Sequence, residues 1–116
     1  MKKLTVREQY DYFKDVFSHC GCFLLELSDE DLLYHLFEEF DVDATSVLHM
    51  ATLEPLRENG YIDDEIVSMC QSVREMYFKF DQNTMWTAEE IRSSMDWLNL
   101  FCLADEIRMR LLENIN

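Results

Sequence analysis

His19-Cys20-Gly21-Cys22 is the densest group of chemically versatile side chains in this 116-residue chain. Thiolate and imidazole bind zinc, and together with Cys70 and Cys102 they would supply enough donors for a tetrahedral site. Structural zinc sites use two Cys-x₂₋₄-Cys pairs set in loops. Here the pair is a single Cys-x-Cys, and Cys70 and Cys102 stand alone in apolar stretches. Those two are expected to be small buried hydrophobes. "DVDATS" (41–46) begins like a calcium loop, but Ser46 and Thr52 stand where the loop requires Gly and a bidentate Glu. His35 lies four residues from both Asp31 and Glu39, the spacing of a helix-surface ion pair. No Gly-rich loop, Ser elbow or nucleophile with a neighbouring base is present. The sequence therefore assigns no catalytic residue, no metal and no cofactor, and an enzyme is not expected.

What remains is charge. Residues 25–46 hold eight carboxylates, and no Lys or Arg occurs between Lys14 and Arg57 in a chain of formal net charge −14. A helix face that only solubilises interleaves its signs, so that i,i+4 pairs attract. This one forgoes that stabilisation. An anionic field of this kind raises association rates with a cationic partner by roughly 10- to 1,000-fold. It also argues against direct nucleic-acid binding, which needs a basic patch. The candidate interface is Asp29, Glu30, Asp31, Tyr34, Glu38, Glu39, Asp41 and Asp43. Glu30, Tyr34, Glu38 and Asp41 are expected on one outward face. A second candidate surface is the "YIDDE" turn, with Tyr61, Asp63, Asp64 and Glu65. A Tyr among carboxylates suits an interface anchor, because it buries area at low entropic cost.

These residues must be positioned by helices. Two glycines and one proline leave little turn punctuation. Thr5 with Glu8, and Thr87 with Glu90, fit capping boxes. The first opens a helix carrying Val6, Tyr10, Phe13 and Phe17, with a break near Gly21. "CFLLEL" (22–27) lacks β-branched residues and reads as buried helix or connector. Ser28 caps an acidic helix whose stripe is Leu32, Leu33, Leu36, Phe37 and Phe40. Asp43 is expected to cap a third segment, which Pro55 should kink or restart at Thr52. Gly60 suits a left-handed helix end. Asp63 opens a helix buried through Ile66, Cys70, Val73 and Tyr77, "DQNT" (81–84) forms a loop, and Thr87 starts one long last helix. In that helix Ile91, Met95, Leu98, Cys102 and Leu111, with Trp97 and Phe101 alongside, are expected to face inward and to continue to about Glu113. The expected fold is all-α: one domain, residues 1–116, a compact bundle of about five helices with short antiparallel connections. The basic start "MKK" has no apolar region behind it, and no stretch approaches the roughly 18 apolar residues of a membrane span. A cytoplasmic protein with reduced cysteines is expected.

"LEPLRENGYIDDEIVSMCQSVREMYFKF" and "MWTAEEIRSSMDWLNLFCLADEIRMRLLE", about residues 53–113, resemble small helical immunity proteins of bacterial contact-dependent inhibition and other polymorphic toxin systems. The resemblance rests on a helix after Gly60-x-Ile62, on the Trp86-Thr87-x-x-Glu90 helix start, and on Trp97 and Ala104-Asp105. It implies an inhibitor that binds one cognate toxin domain, often a nuclease, with no cofactor. It transfers no interface residue, so those named above come from charge alone. An acidic nucleic-acid mimic of the anti-restriction or anti-CRISPR type, or a non-catalytic helical adaptor, would carry similar charge.

Overall fold

The computed structural model describes residues 4–81 and 86–113, and no strand occurs among them. Thr5 caps helix α1 (Val6–Val16) with both bonds of the capping box to Glu8. A 3₁₀ turn (Cys22–Glu26) follows, which settles the reading of "CFLLEL". Ser28 then accepts the Asp31 N–H and starts α2 (Asp29–Tyr34). This helix continues without leaving helical backbone through a π-turn (His35–Glu39), α3 (Phe40–Val42) and a second π-turn (Asp43–Val47). Residues 29–47 thus form one acidic run. Asp43 lies inside it and caps nothing.

The π-turns follow from the apolar spacing. Leu32, Leu36, Phe40, Ala44 and Leu48 are all fully buried and recur every four residues. In an α-helix a four-residue repeat drifts about 40° per step, or about 160° over these sixteen residues. Each π-turn absorbs one extra residue and takes back about 100°. Two of them hold all five side chains against the core. The slipped register shows directly, since Phe40 N–H reaches His35 O and Leu48 N–H reaches Asp43 O, each five residues back.

His49, not Thr52, begins α4 (Met50–Glu58), with its Nδ1 accepting the Ala51 N–H at 3.0 Å. Pro55 sits inside this helix without breaking it. The bond it forgoes would end on the carbonyl of Ala51, an exposed residue whose oxygen water can reach. Thr52 instead donates its hydroxyl to the Ser46 carbonyl at 3.0 Å. Gly60 takes φ 81°, and Asp63 accepts the Ile66 N–H to start α5 (Asp64–Asp81). Of the expected "DQNT" loop, Asp81 ends α5 and the other three residues lie outside the described ones.

The last stretch is two helices, α6 (Ala88–Ser93) and α7 (Met95–Glu113). Ser94 turns extended between them and its Oγ accepts the Trp97 N–H at 3.3 Å, acting as a fresh cap. That break resets the helical phase. The buried stripe of α7 becomes Trp97, Leu100, Phe101, Ala104, Ile107 and Leu111. Met95 and Cys102, expected inside, are exposed, and Leu98 is half-buried.

All the helices close on one core around Trp97, whose ring meets Phe37, Tyr77, Phe80, Trp86 and Phe101 at centroid distances of 5.0–6.2 Å. One face of α5 also holds the acidic run by its backbone. Gln71, Arg74 and Tyr77 donate to the carbonyls of Leu48 (3.0 Å), Ala44 (2.9 Å) and Leu36 (3.2 Å). Leu36 and Ala44 lie in the π-turns, where slipping register leaves carbonyls short of intrahelical donors. The α5 side chains supply what the turns lose. No helix among the described residues is long and apolar enough to cross a membrane.

Candidate functional site

Winding at four residues per turn sorts the acidic run into four rows. The row opposite the core is Glu30, Tyr34, Glu38, Val42 and Ser46, and every member is exposed. Tyr34 and Val42 keep 55% and 61% of their surface in water, so this row offers apolar contact area beside its carboxylates. Glu30, Asp31 and Glu38 form no ion pair among the described residues. The outward face is therefore an alternation of bare carboxylates with an aromatic and an aliphatic side chain.

Asp41, expected on this face, is turned away from it. The π-turn before it rotates Asp41 toward α5, where its Oδ1 accepts the Tyr77 hydroxyl at 3.0 Å. Val42 takes the outward place. Asp29 is exposed but paired with Arg92 of α6, which also donates to the Leu27 carbonyl at 2.6 Å. That clamp fixes the start of the acidic run against α6.

The row of Asp31, His35, Glu39 and Asp43 flanks the core on the side facing the end of α1. There it meets His19, whose role local spacing could not reveal because two of its three partners, Glu39 and Asp43, lie 20 and 24 positions away. His19 Nδ1 is 2.7 Å from Asp43 Oδ2, and its Nε2 lies 3.5 Å from Glu39 and 3.7 Å from Asp15. His35 Nδ1 bonds the other oxygen of Glu39, and the two imidazoles stack with centroids 6.4 Å apart. Burial alone would lower His19, but the Asp43 bond and the charges of Asp43, Glu39 and Asp15 outweigh it and raise its pKa. Burial raises Asp43 in turn, with His19 opposing part of the shift. Two of the seven candidate carboxylates, Glu39 and Asp43, are thus half-buried and tied to histidines of the protein itself. They anchor the run to α1.

The second candidate surface divides as well. Tyr61 is half-buried and stacks on Tyr10 at 4.8 Å, Asp63 caps α5, Asp64 lies 3.5 Å from Arg57, and Glu65 lies 3.0 Å from Arg110. Tyr61, Ile62 and Asp63 line an open groove of about 660 Å³ with Gly60, Arg7, Tyr10 and Lys14. Arg7 and Lys14 both lean on Asp11, at 3.7 and 3.6 Å. This groove is of mixed sign. It lacks the bare, one-signed character of the outward row.

Of the cysteines, Cys20 and Cys70 are buried in the core, while Cys22 and Cys102 lie near the surface. No three His, Cys, Asp or Glu side chains among the described residues are arranged to hold a metal ion. Chemically, the outward row can bring negative charge and two contact side chains to another surface. Compared with known protein families, curated proteins and solved structures, the chain matches none of them.

Proposed function

We propose that this chain is a non-catalytic inhibitor of the immunity type, which binds and neutralises a basic toxin domain, most simply a nuclease, through the outward row of its acidic run. The observation carrying this reading is the exposure of Tyr34 between Glu30 and Glu38, with Val42 exposed next beyond Glu38, where neither carboxylate has an ion pair among the described residues. Interface hot spots combine a large, low-entropy anchor with surrounding groups that exclude water. Carboxylates around such an anchor steer it toward a cationic cleft and set the register there. A nuclease cleft is lined with Lys and Arg because it must hold phosphate.

The same row argues against duplex mimicry. Double-stranded DNA presents a charge about every 1.7 Å of axis. Glu30 and Glu38 are eight residues apart, about 12 Å along a helix, with an aromatic ring between them. A face of this kind fits one protein cleft better than it imitates a phosphate array.

The test is co-purification of the chain from its native cell beside the variant Glu30→Gln/Tyr34→Ala/Glu38→Gln. The expected result is a basic nuclease domain captured by the unmodified chain, inhibited at equimolar ratio, and lost from the variant. A captured partner with no nuclease activity, or one the variant still holds and inhibits, overturns the proposal.

A further inference from the structure

Each residue of "HCGC" has a separate place. His19 pairs with Asp43, and Cys20 is a core residue. Gly21 makes room, since a Cβ there would lie 2.3 Å from Asp105 Oδ1. With only hydrogen at that position, the Asp105 carboxylate of α7 comes close enough for its Oδ2 to accept the Cys22 N–H at 3.1 Å. This close approach brings the sulfurs together. Cys22 Sγ lies 3.9 Å from Cys102 Sγ, although the two are 80 positions apart.

Cys102 is exposed and Cys22 half-buried, whereas the other two thiols are sealed in the core. The contact therefore joins the two thiols of the chain that solvent can reach. We propose that Cys22 and Cys102 form an oxidisable dithiol that closes into a disulfide between the 3₁₀ turn and α7, with Asp105 as its proton acceptor.

The chemistry runs in a fixed order. Burial, then the hydrogen bonds and charges of Asp105 and Cys102, push the Cys22 thiol up to about 12, so Cys22 waits as a thiol. Exposed Cys102 meets the oxidant first. With hydrogen peroxide, the Cys102 thiolate attacks one oxygen, the O–O bond breaks, and hydroxide leaves and takes up a proton as water. Cys102 is then a sulfenic acid. Cys22 sulfur attacks the Cys102 sulfur as its proton passes to Asp105, the S–OH bond breaks, and Asp105 returns the proton to the leaving hydroxide, which departs as a second water. Two thiols are oxidised by two electrons in total, and one peroxide is reduced to two waters. Closing the bond brings the sulfurs from 3.9 Å to about 2.05 Å. The link would fix the connection between α1 and the acidic run onto α7.

The experiment treats the folded full chain with equimolar hydrogen peroxide, then counts thiols and maps peptides without reduction, beside Cys102→Ser, Cys22→Ser and Asp105→Asn. The expected result is a monomer whose free thiols fall from four to two, with one linked peptide pair containing Cys22 and Cys102. Cys22→Ser should stop with Cys102 as sulfenic acid, trapped by a dimedone probe. Cys102→Ser should keep its three thiols. Asp105→Asn should accumulate the sulfenic acid before slow closure, provided its circular dichroism is unchanged. A Cys20–Cys22 link, a dimer joined through Cys102, or oxidised Cys102 beside a Cys22 that still titrates would each overturn the proposal.

Discussion

Tyr77→Phe removes one oxygen from the contact between α5 and the acidic run and leaves the ring in place. That ring is fully buried, edge-on to Phe40 at 5.2 Å and to Trp97 at 6.2 Å. Phenylalanine keeps this packing. The hydroxyl carries one proton, placed between Asp41 Oδ1 at 3.0 Å and the Leu36 carbonyl at 3.2 Å. A hydrogen bond to a charged group contributes about 1.5–3 kcal/mol and one to a neutral group about 0.5–1.5 kcal/mol. Asp41 is half-buried, so water recovers part of its loss, whereas the Leu36 carbonyl belongs to a fully buried residue in the π-turn. The expected destabilisation is about 1–2 kcal/mol at neutral pH. With a urea slope of about 1–3 kcal/mol/M, the midpoint should fall by roughly 0.3–2 M. Urea unfolding followed by tryptophan fluorescence measures this. Asp41→Asn and the double variant complete a cycle whose coupling energy should be at least about 0.5 kcal/mol. A Tyr77→Phe midpoint equal to that of the unmodified chain would refute the claim that α5 side chains support the π-turned run.

Three further variants have expected outcomes. Arg74→Met withdraws the donor to the Ala44 carbonyl and the cation 4.9 Å above Phe78, and should cost about 1–3 kcal/mol in the same urea assay. Gly21→Ala pushes the Asp105 carboxylate away from the 3₁₀ turn and should cost about 1–3 kcal/mol through loss of its bond to the Cys22 N–H, with Cys22 becoming more accessible to a thiol reagent. The third concerns pH. His19, set among Asp15, Glu39, Asp43 and the ring of His35, has its folded pKa raised above 6.5, so the stability it adds is complete below 6.5 and is lost as pH rises through the raised value. His19→Gln should therefore cost more below pH 6.5 than above the raised value, and a gap between variant and unmodified chain that widens with rising pH would contradict the arrangement.

The helices were legible where local chemistry decides them. Thr5, Ser28, Asp63 and Thr87 are helix starts in the sequence and in the structure, because each bonds an N–H only three positions ahead. Gly60 was legible for a similar reason, as its left-handed φ needs no distant partner. The errors arose where two local signals compete. Asp43 and Thr52 are good caps, but the buried four-residue repeat carries the helix through Asp43, and His49 takes the cap instead. That repeat was visible as Leu32, Leu36, Phe40, Ala44 and Leu48. Read with a period of 3.6 it loses phase, and Asp41 is then assigned the outward place that Val42 holds. At the second serine of "RSSMD", Ser94 both ends α6 and caps α7, and the reset phase exposes Met95 and Cys102. His19 with Asp43 and Cys22 with Cys102 were not legible, since tertiary folding alone brings them together.

The central claim is that the outward row of residues 29–47 meets a cationic partner. Its most direct test is the association rate with the captured partner at two salt concentrations, for Glu30→Gln/Glu38→Gln beside Asp64→Asn/Glu65→Gln. Asp64 and Glu65 already face Arg57 and Arg110, so neutralising them removes equal charge from the second candidate surface. The outward pair should slow association several-fold and flatten its salt dependence, with the second pair changing little. Unchanged association for the outward pair, with slowing for Asp64 and Glu65, would place the interface on the "YIDDE" turn and contradict the account.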